Sequence, residues 1–188
     1  MADKELKILG ICGSLRKGSF NRLALVNAQK LVPANMSLEI FDIGEIPVYN
    51  EDVRAEGFPA PVQALRDKIK AADALLFCTP EYNYSISGVL KNAIDWASRP
   101  PDHPFDGKPA AIMGASGGIL GTARAQYHLR QICVFLNMFP INKPEVFIGQ
   151  AQNKFDAQGN LTDDMAKGLI GDLLKNLGIW TRRLQASA

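Results

Sequence analysis

Gly13, Ser14, Arg16, Gly18, Ser19 and Asn21 crowd into one short stretch, Gly10-Ile11-Cys12-Gly13-Ser14-Leu15-Arg16-Lys17-Gly18-Ser19-Phe20-Asn21. These residue types hold phosphate. Ser14, Ser19 and Asn21 offer side-chain donors, and Arg16 offers a planar cation that matches phosphate oxygens. The apolar run that begins at Leu6 leads in as a strand, and Leu23-Ala24-Leu25-Val26 leads out with helical periodicity. Free backbone N–H groups and the positive end of a helix dipole then point at one spot.

Spacing separates the phosphate chemistries. A nucleoside triphosphatase loop reads G-x-x-x-x-G-K-[ST]; Gly13 and Gly18 fit it, but Ser19 stands where the lysine belongs. Gly10, Gly13 and Gly18 do not make the G-x-G-x-x-G of a dinucleotide fold. Cys12 to Arg16 is too short an arc for a cysteine phosphatase loop. A terminal phosphomonoester held by a serine-rich loop remains, beside an ordinary strand-to-helix turn with a capping serine.

Two further stretches carry chemistry. Thr79-Pro80-Glu81-Tyr82-Asn83-Tyr84-Ser85 follows an apolar run, and its tyrosines flank an amide. Flat surfaces with hydrogen-bonding edges suit a planar heteroaromatic ring, although tyrosines capping a sheet edge look the same. Gly114-Ala115-Ser116-Gly117-Gly118 allows backbone amides close approach to a ligand, or simply makes a turn. A ring joined through a flexible linker to one phosphate describes FMN.

The elements that must bring these stretches together alternate. Strands are predicted over 7–12, 37–41, 74–78, 108–114 and 146–148. Helices are predicted over 21–31, 61–71, 121–139 and 162–183, the last with Thr162 as N-cap and Asp163-Asp164 in its first turn. The stretch 42–52 is too long for a simple connection. The fold class is α/β: a flavodoxin-like, doubly wound, five-stranded parallel sheet of order 2-1-3-4-5 with helices on both faces. Its crevice lies at the carboxyl ends of strands one and three, so the loops after Ile11, Cys78 and Gly114 are expected to meet. No composition break or repeat divides the chain, so one domain is expected over 1–188.

Composition narrows the partners. The 188 residues are 47% hydrophobic and 21% charged, which argues for an ordered core. A net charge of +2 argues against nucleic acid or an acidic membrane surface. Met1-Ala2-Asp3-Lys4-Glu5 lacks the apolar core of a signal peptide, and no later run approaches a membrane span. Cys12, Cys78 and Cys133 have no paired spacing and read as buried, reduced thiols of a cytoplasmic protein. His103 and His128 stand far apart, so no metal site is expected.

Taken together, Gly13-Ser14-Leu15-Arg16…Ser19…Asn21, Pro80-Glu81-Tyr82-Asn83-Tyr84-Ser85 and Gly88…Leu90-Lys91-Asn92-Ala93-Ile94-Asp95-Trp96 resemble the NAD(P)H-dependent FMN reductase family, closest to its bacterial chromate and quinone reductases. The resemblance covers nearly the whole chain. It implies FMN as cofactor and NADPH or NADH as electron donor. It implies that Ser14, Arg16, Ser19 and Asn21 hold the phosphate, with Phe20 among the cofactor-binding residues, that Pro80, Glu81, Tyr82, Asn83 and Tyr84 run along the ring, and that Ser116, Gly117 and Gly118 meet its polar edge. It implies ping-pong transfer to quinones, with chromate, azo or nitro compounds or free flavin as further acceptors. No catalytic side chain is required, because the flavin carries the chemistry. A flavodoxin-type electron carrier would share the fold; the near-neutral charge and Arg16 speak against it.

The run from Ile132 to Phe139 is apolar except for Asn137, and a helix apolar all round needs cover on both faces. The sheet is expected to supply one cover; a second subunit, or deep burial within the one chain, supplies the other. The resemblance implies a homodimer or homotetramer, here through the helix between Arg124 and Phe139, with Arg124, Tyr127 and Glu145 as polar contacts. The loop from Pro47 to Asp52 is a candidate to close over a neighbouring subunit's flavin.

Overall fold

A computed structural model describes residues 4–187; Met1, Ala2 and Asp3 of the charged start, and Ala188, lie outside the described residues. β1 (Leu6–Cys12), β2 (Met36–Phe41), β3 (Ala74–Cys78) and β4 (Pro109–Ala115) pair in parallel in the order β2-β1-β3-β4. β3 and β4 are buried along their whole length, as strands covered on both faces must be. α1 (Phe20–Lys30) and α6 (Asp164–Gln185) cover one face, where Leu25, Leu173 and Leu177 join Ile8, Leu76 and Val146. α3 (Ala60–Ala71), α4 (Gly88–Ala97) and α5 (Ala123–Phe135) cover the other, where Leu65, Ile69, Leu90 and Leu129 join Leu9, Phe77 and Ile112. Each such aliphatic side chain contributes about 1.5–3 kcal/mol by leaving water.

The fifth position of the sheet is shared. β5 (Phe139–Pro140) pairs with Pro109 and Ala110, and β6 (Val146–Ile148) pairs with Met113, Gly114 and Ala115, both parallel to β4. The order 2-1-3-4-5 therefore holds, with the predicted fifth strand as β6 and a short extra strand before it.

That extra strand comes from residues expected to be helical. α5 stops at Phe135 rather than running to 139, because Asn137 takes the left-handed conformation at φ 50°. The Met138 N–H then bonds the Cys133 carbonyl at 3.0 Å and the Asn137 N–H bonds that of Val134 at 3.2 Å, a Schellman ending. Cys133 faces the sheet, while Val134 is 81% and Phe135 86% exposed.

α6 is capped by Asp163, whose carboxylate accepts the Ala166 N–H at 2.8 Å, and not by Thr162, whose hydroxyl donates to the Lys154 carbonyl. A carboxylate at the N-cap also complements the helix dipole. The long stretch after β2 contains a short helix, α2 (Glu51–Ala55), and is strapped to α4. Asn92 Nδ2 and Trp96 Nε1 both donate to the Pro47 carbonyl at 2.8 Å, and the Tyr49 ring meets Trp96 edge-on at 4.8 Å.

Candidate functional site

The loops after β1, β3 and β4 meet at the carboxyl end of the sheet, and three buried ties hold them. The first is Asn21. Its Nδ2 donates to the Ala115 carbonyl and its Oδ1 accepts the Ala115 N–H, both at 2.8 Å, joining the start of α1 to the end of β4. The second is Ser87, the N-cap of α4, whose hydroxyl donates to the Gly13 carbonyl at 2.5 Å. The third is Gly13 itself: a Cβ there would lie 3.0 Å from Pro80 Cδ and 3.2 Å from Leu90, so only glycine lets loops one and two touch without adjustment.

The first loop has donors to spare. The Gly13 N–H bonds the Cys78 carbonyl and that of Ser19 bonds the Arg16 carbonyl. Among the described residues, the amides of Ser14, Leu15, Arg16, Lys17 and Gly18 between them meet no protein acceptor. Ser19 is buried and caps α1, its hydroxyl accepting the Arg22 N–H at 3.3 Å. Arg16 is exposed, with its guanidinium carbon 5.5 Å from the Phe20 ring. Unpaired amides, a helix N-terminus and an arginine form a donor set that fits a phosphate dianion. A cleft of about 380 Å³ opens here, lined by Ser14, Leu15, Arg16, Lys17, Arg22, Asp42 and Gly44.

Cys12 and Cys78 pair across β1 and β3 below this loop and are free thiols. Burial pushes the Cys12 thiol up, and the fully buried Cys78 further. They are neutral packing groups; Cys78 Sγ donates to the Asn21 carbonyl at 3.2 Å.

The second loop is a tight reversal. Tyr82 and Ser85 exchange both backbone bonds at 3.0 Å, and Asn83 and Tyr84 between them have φ of 50° and 67°. Two positive φ values define a type I′ turn, which a tyrosine adopts only under strain. Tyr82 and Tyr84 are largely exposed, while Pro80 is buried. Glu81 turns inward: its Oε2 accepts the N–H groups of Arg124 at 3.0 Å and Ala125 at 3.2 Å, and its Oε1 pairs with the Arg124 guanidinium. Thr122, the N-cap of α5, makes no side-chain capping bond, so Glu81 caps that helix from another loop. The hydrogen bond to Glu81 holds the Arg124 guanidinium above its ordinary value. Arg124 also stacks on Tyr84, 3.9 Å from the ring centroid.

The third loop leans on β6. Ser116 N–H bonds the Ile148 carbonyl and Ser116 Oγ donates to the Gly121 carbonyl. Packing within the chain demands glycine at Gly114 and leaves Gly117 and Gly118 unconstrained. A Cβ at Gly114 would fall 2.0 Å from Thr122 Oγ1 and 2.3 Å from the Thr79 carbonyl oxygen, whereas Gly117 and Gly118 have nothing nearer than 3.4 Å and 3.7 Å. A second cleft of about 380 Å³ lies beside Glu81, Ser116, Gly118, Ile119, Leu120, Gly121 and Arg124.

Ser14, Arg16, Ser19, Phe20, Pro80, Glu81, Tyr82, Asn83, Tyr84, Ser116, Gly117 and Gly118 thus share one end of the sheet, with Asn21 buried among them and committed to Ala115. Ser87 is not among the residues that the motifs single out, although a serine three residues before Leu90 and seven before Ile94 is a legible cap signal. Nothing local marks Glu81 as the cap of a helix 43 residues away. Tyr127 and Glu145 bond each other at 2.7 Å within the chain.

A sequence profile described as NADPH-dependent FMN reductase matches residues 6–153. An NAD(P)H-dependent FMN reductase of Pseudomonas aeruginosa is 65% identical over 185 residues, covering 98% of this chain and all of the relative. A quinone reductase of Escherichia coli K12 is 51% identical over 186 residues, covering 97% of this chain and 99% of the relative. Among solved structures, FerB, a flavoenzyme NAD(P)H:(acceptor) oxidoreductase from Paracoccus denitrificans, superposes with a TM-score of 0.86 at 35% identity over 95% of this chain and 98% of its own.

Proposed function

The chain belongs to the NADPH-dependent FMN reductase family, and from that premise we propose how its own residues run an FMN-dependent, NAD(P)H-driven reduction of quinones. One observation carries the assignment of roles: the run of unpartnered amides from Ser14 to Gly18 beside Arg16 and the α1 N-terminus, tied to both other loops. FMN, when bound, supplies the redox chemistry, accepting a hydride from NAD(P)H and passing the electrons to an acceptor in a ping-pong sequence.

Ser14, Arg16 and the loop amides hold the phosphate, with Ser19 and Phe20 completing the loop at the start of α1. Asn21 works indirectly, fixing that loop against Ala115 through both of its polar atoms. Pro80, Glu81, Tyr82, Asn83 and Tyr84 form the wall along the ring. Ser116, Gly117 and Gly118 bring main chain to its polar edge. The amides of Asn83 and Tyr84 meet no protein acceptor among the described residues and so are free to stabilise negative charge on the ring. The exposure of Tyr82 and Tyr84 suits the approach of small planar acceptors; chromate, azo and nitro compounds and free flavin are acceptors we add to quinones.

We also assign the chain 1–188 to one flavodoxin-like domain acting in the cytoplasm; no helix among the described residues is long and apolar enough to cross a membrane. Subunits pair as a homodimer or homotetramer across α5 between Arg124 and Phe139, with Tyr127 and Glu145 as contacts. The exposed Val134 and Phe135 support this, and a monomeric mass by light scattering at micromolar concentration would overturn it. The loop from Pro47 to Asp52 is strapped to its own α4 with Val48 86% exposed, and we propose that it closes over a neighbouring subunit's flavin.

The deciding experiment is anaerobic addition of NADPH or NADH to the purified protein without an acceptor. A yellow protein that bleaches supports the reductase; a yellow protein that stays yellow makes it an electron carrier; a protein that gains no colour from added FMN ends the reading.

A further inference from the structure

α5 does more than cover the sheet. Arg124 and His128 stand one helical turn apart on it, and both reach the strained turn of the second loop. Arg124 stacks on Tyr84 at 3.9 Å, and His128 Nδ1 is hydrogen-bonded to Ser85 Oγ at 2.7 Å. Glu81, with its side chain only 6% exposed, pins the Arg124 guanidinium from below. The arrangement leaves Arg124 Nε buried without a hydrogen-bond partner, so the guanidinium is placed for Glu81 and Tyr84 and not for its own saturation. The turn needs such support. Tyr84 at φ 67° occupies a region that a β-carbon disfavours, and the residue is 71% exposed, so within the chain little besides Arg124 packs on it.

We infer that Arg124 is a positioning residue for the reaction: braced by Glu81 and assisted by His128, it holds the Asn83-Tyr84 turn in its left-handed conformation and thereby aims the free amides of Asn83 and Tyr84 at the flavin. This rests on the FMN reading above. The amides favour the reduced, electron-rich ring. Loosening the turn therefore weakens the preference for reduced over oxidised flavin, while the phosphate loop keeps the cofactor bound.

The test uses the FMN-loaded protein, Arg124→Met, and the double variant Arg124→Met/Tyr84→Gly. The readouts are FMN affinity, the midpoint potential of the bound flavin, and amide exchange over residues 82–85. Arg124→Met is expected to bind FMN, to exchange faster across the turn, and to favour reduced flavin roughly threefold to tenfold less, the value of one backbone hydrogen bond. The double variant is measured beside Tyr84→Gly alone, which carries the same loss of the ring-wall tyrosine, and the two are expected to share one potential, because glycine after Asn83 adopts the turn without help. Equal potentials separate positioning from a direct effect of the arginine charge, which would shift the flavin whether residue 84 is tyrosine or glycine. An unchanged potential in the single Arg124→Met variant overturns the inference, and so does a shift of the double variant from Tyr84→Gly as large as that of Arg124→Met from wild type. If Arg124→Met does not fold, Arg124→Lys replaces it, keeping the charge while losing the planar fork; an intermediate shift supports the inference and a wild-type potential overturns it. Failure of the wild type to bind FMN would instead sink the cofactor reading.

Discussion

Asn21 and Ala115, 94 positions apart, exchange two hydrogen bonds of 2.8 Å, one from the side-chain amide and one to it. An amide that presents donor and acceptor side by side is matched by one residue's N–H and C=O, and both pairs are buried. Asn21→Ala leaves the Ala115 polar groups without partners. The expected loss of stability is about 1–3 kcal/mol for each buried group left unpaired, visible as a lower urea midpoint. FMN affinity should fall with it, because loops one and three lose their tie.

Arg16→Ala isolates the phosphate contact. Arg16 is exposed and supports no core, so the denaturation midpoint should stay put. FMN binding should weaken by about 1.5–3 kcal/mol, roughly 10- to 150-fold, as a charge-assisted contact is lost. Fluorescence titration with FMN checks it, and unchanged affinity would remove Arg16 from the phosphate site.

Gly114 and Gly117 make a matched pair. Gly114→Ala drives a methyl into the Thr79 carbonyl at 2.3 Å, where backbone cannot yield cheaply, so a loss of about 3 kcal/mol or more is expected. Gly117→Ala meets only the end of Gln152 at 3.4 Å and should change stability by less than about 0.5 kcal/mol. Gly117→Val should fold and yet purify with less flavin; thermal melts and visible spectra together separate the two effects.

The buried thiols set an alkaline limit. Burial pushes Cys133 up to about 12. In the unfolded chain a thiol ionises near pH 8.5, so the folded state holds the extra proton between those values. Stability from this source is complete below about pH 8.5 and is lost as pH climbs toward 12. Cys133→Ala should make that alkaline decline shallower. In the native protein at pH 8, the three thiols should resist alkylation until denaturant is added, as mass spectrometry can show.

The strands and the meeting of three loops were legible because each apolar run has one period and each loop follows directly from a strand. β3 needed no structure: five apolar residues in sequence have no exposed face. The end of α5 is not legible in the sequence, since the run from Ile132 to Phe139 looks uniformly helical and one asparagine decides it. Asn137 accepts a left-handed backbone more readily than its neighbours, and that single conformation converts the last residues into β5. Among the site residues, types and order were readable, but partners were not. Nothing near Glu81 announces that its carboxylate caps α5, and nothing near Gly114 announces Thr122 at its back. Such contacts belong to the packing of distant segments.

The divided fifth strand bears on solubility. A long straight strand at the rim of a sheet offers a row of unsatisfied groups on which another chain can polymerise. Here that rim is two short pieces, with Pro140 in the first and an excursion over 141–145 before the second. A foreign strand finds neither the length nor the continuity to dock, so this rim is protected against runaway stacking even while the polypeptide is crowded during synthesis.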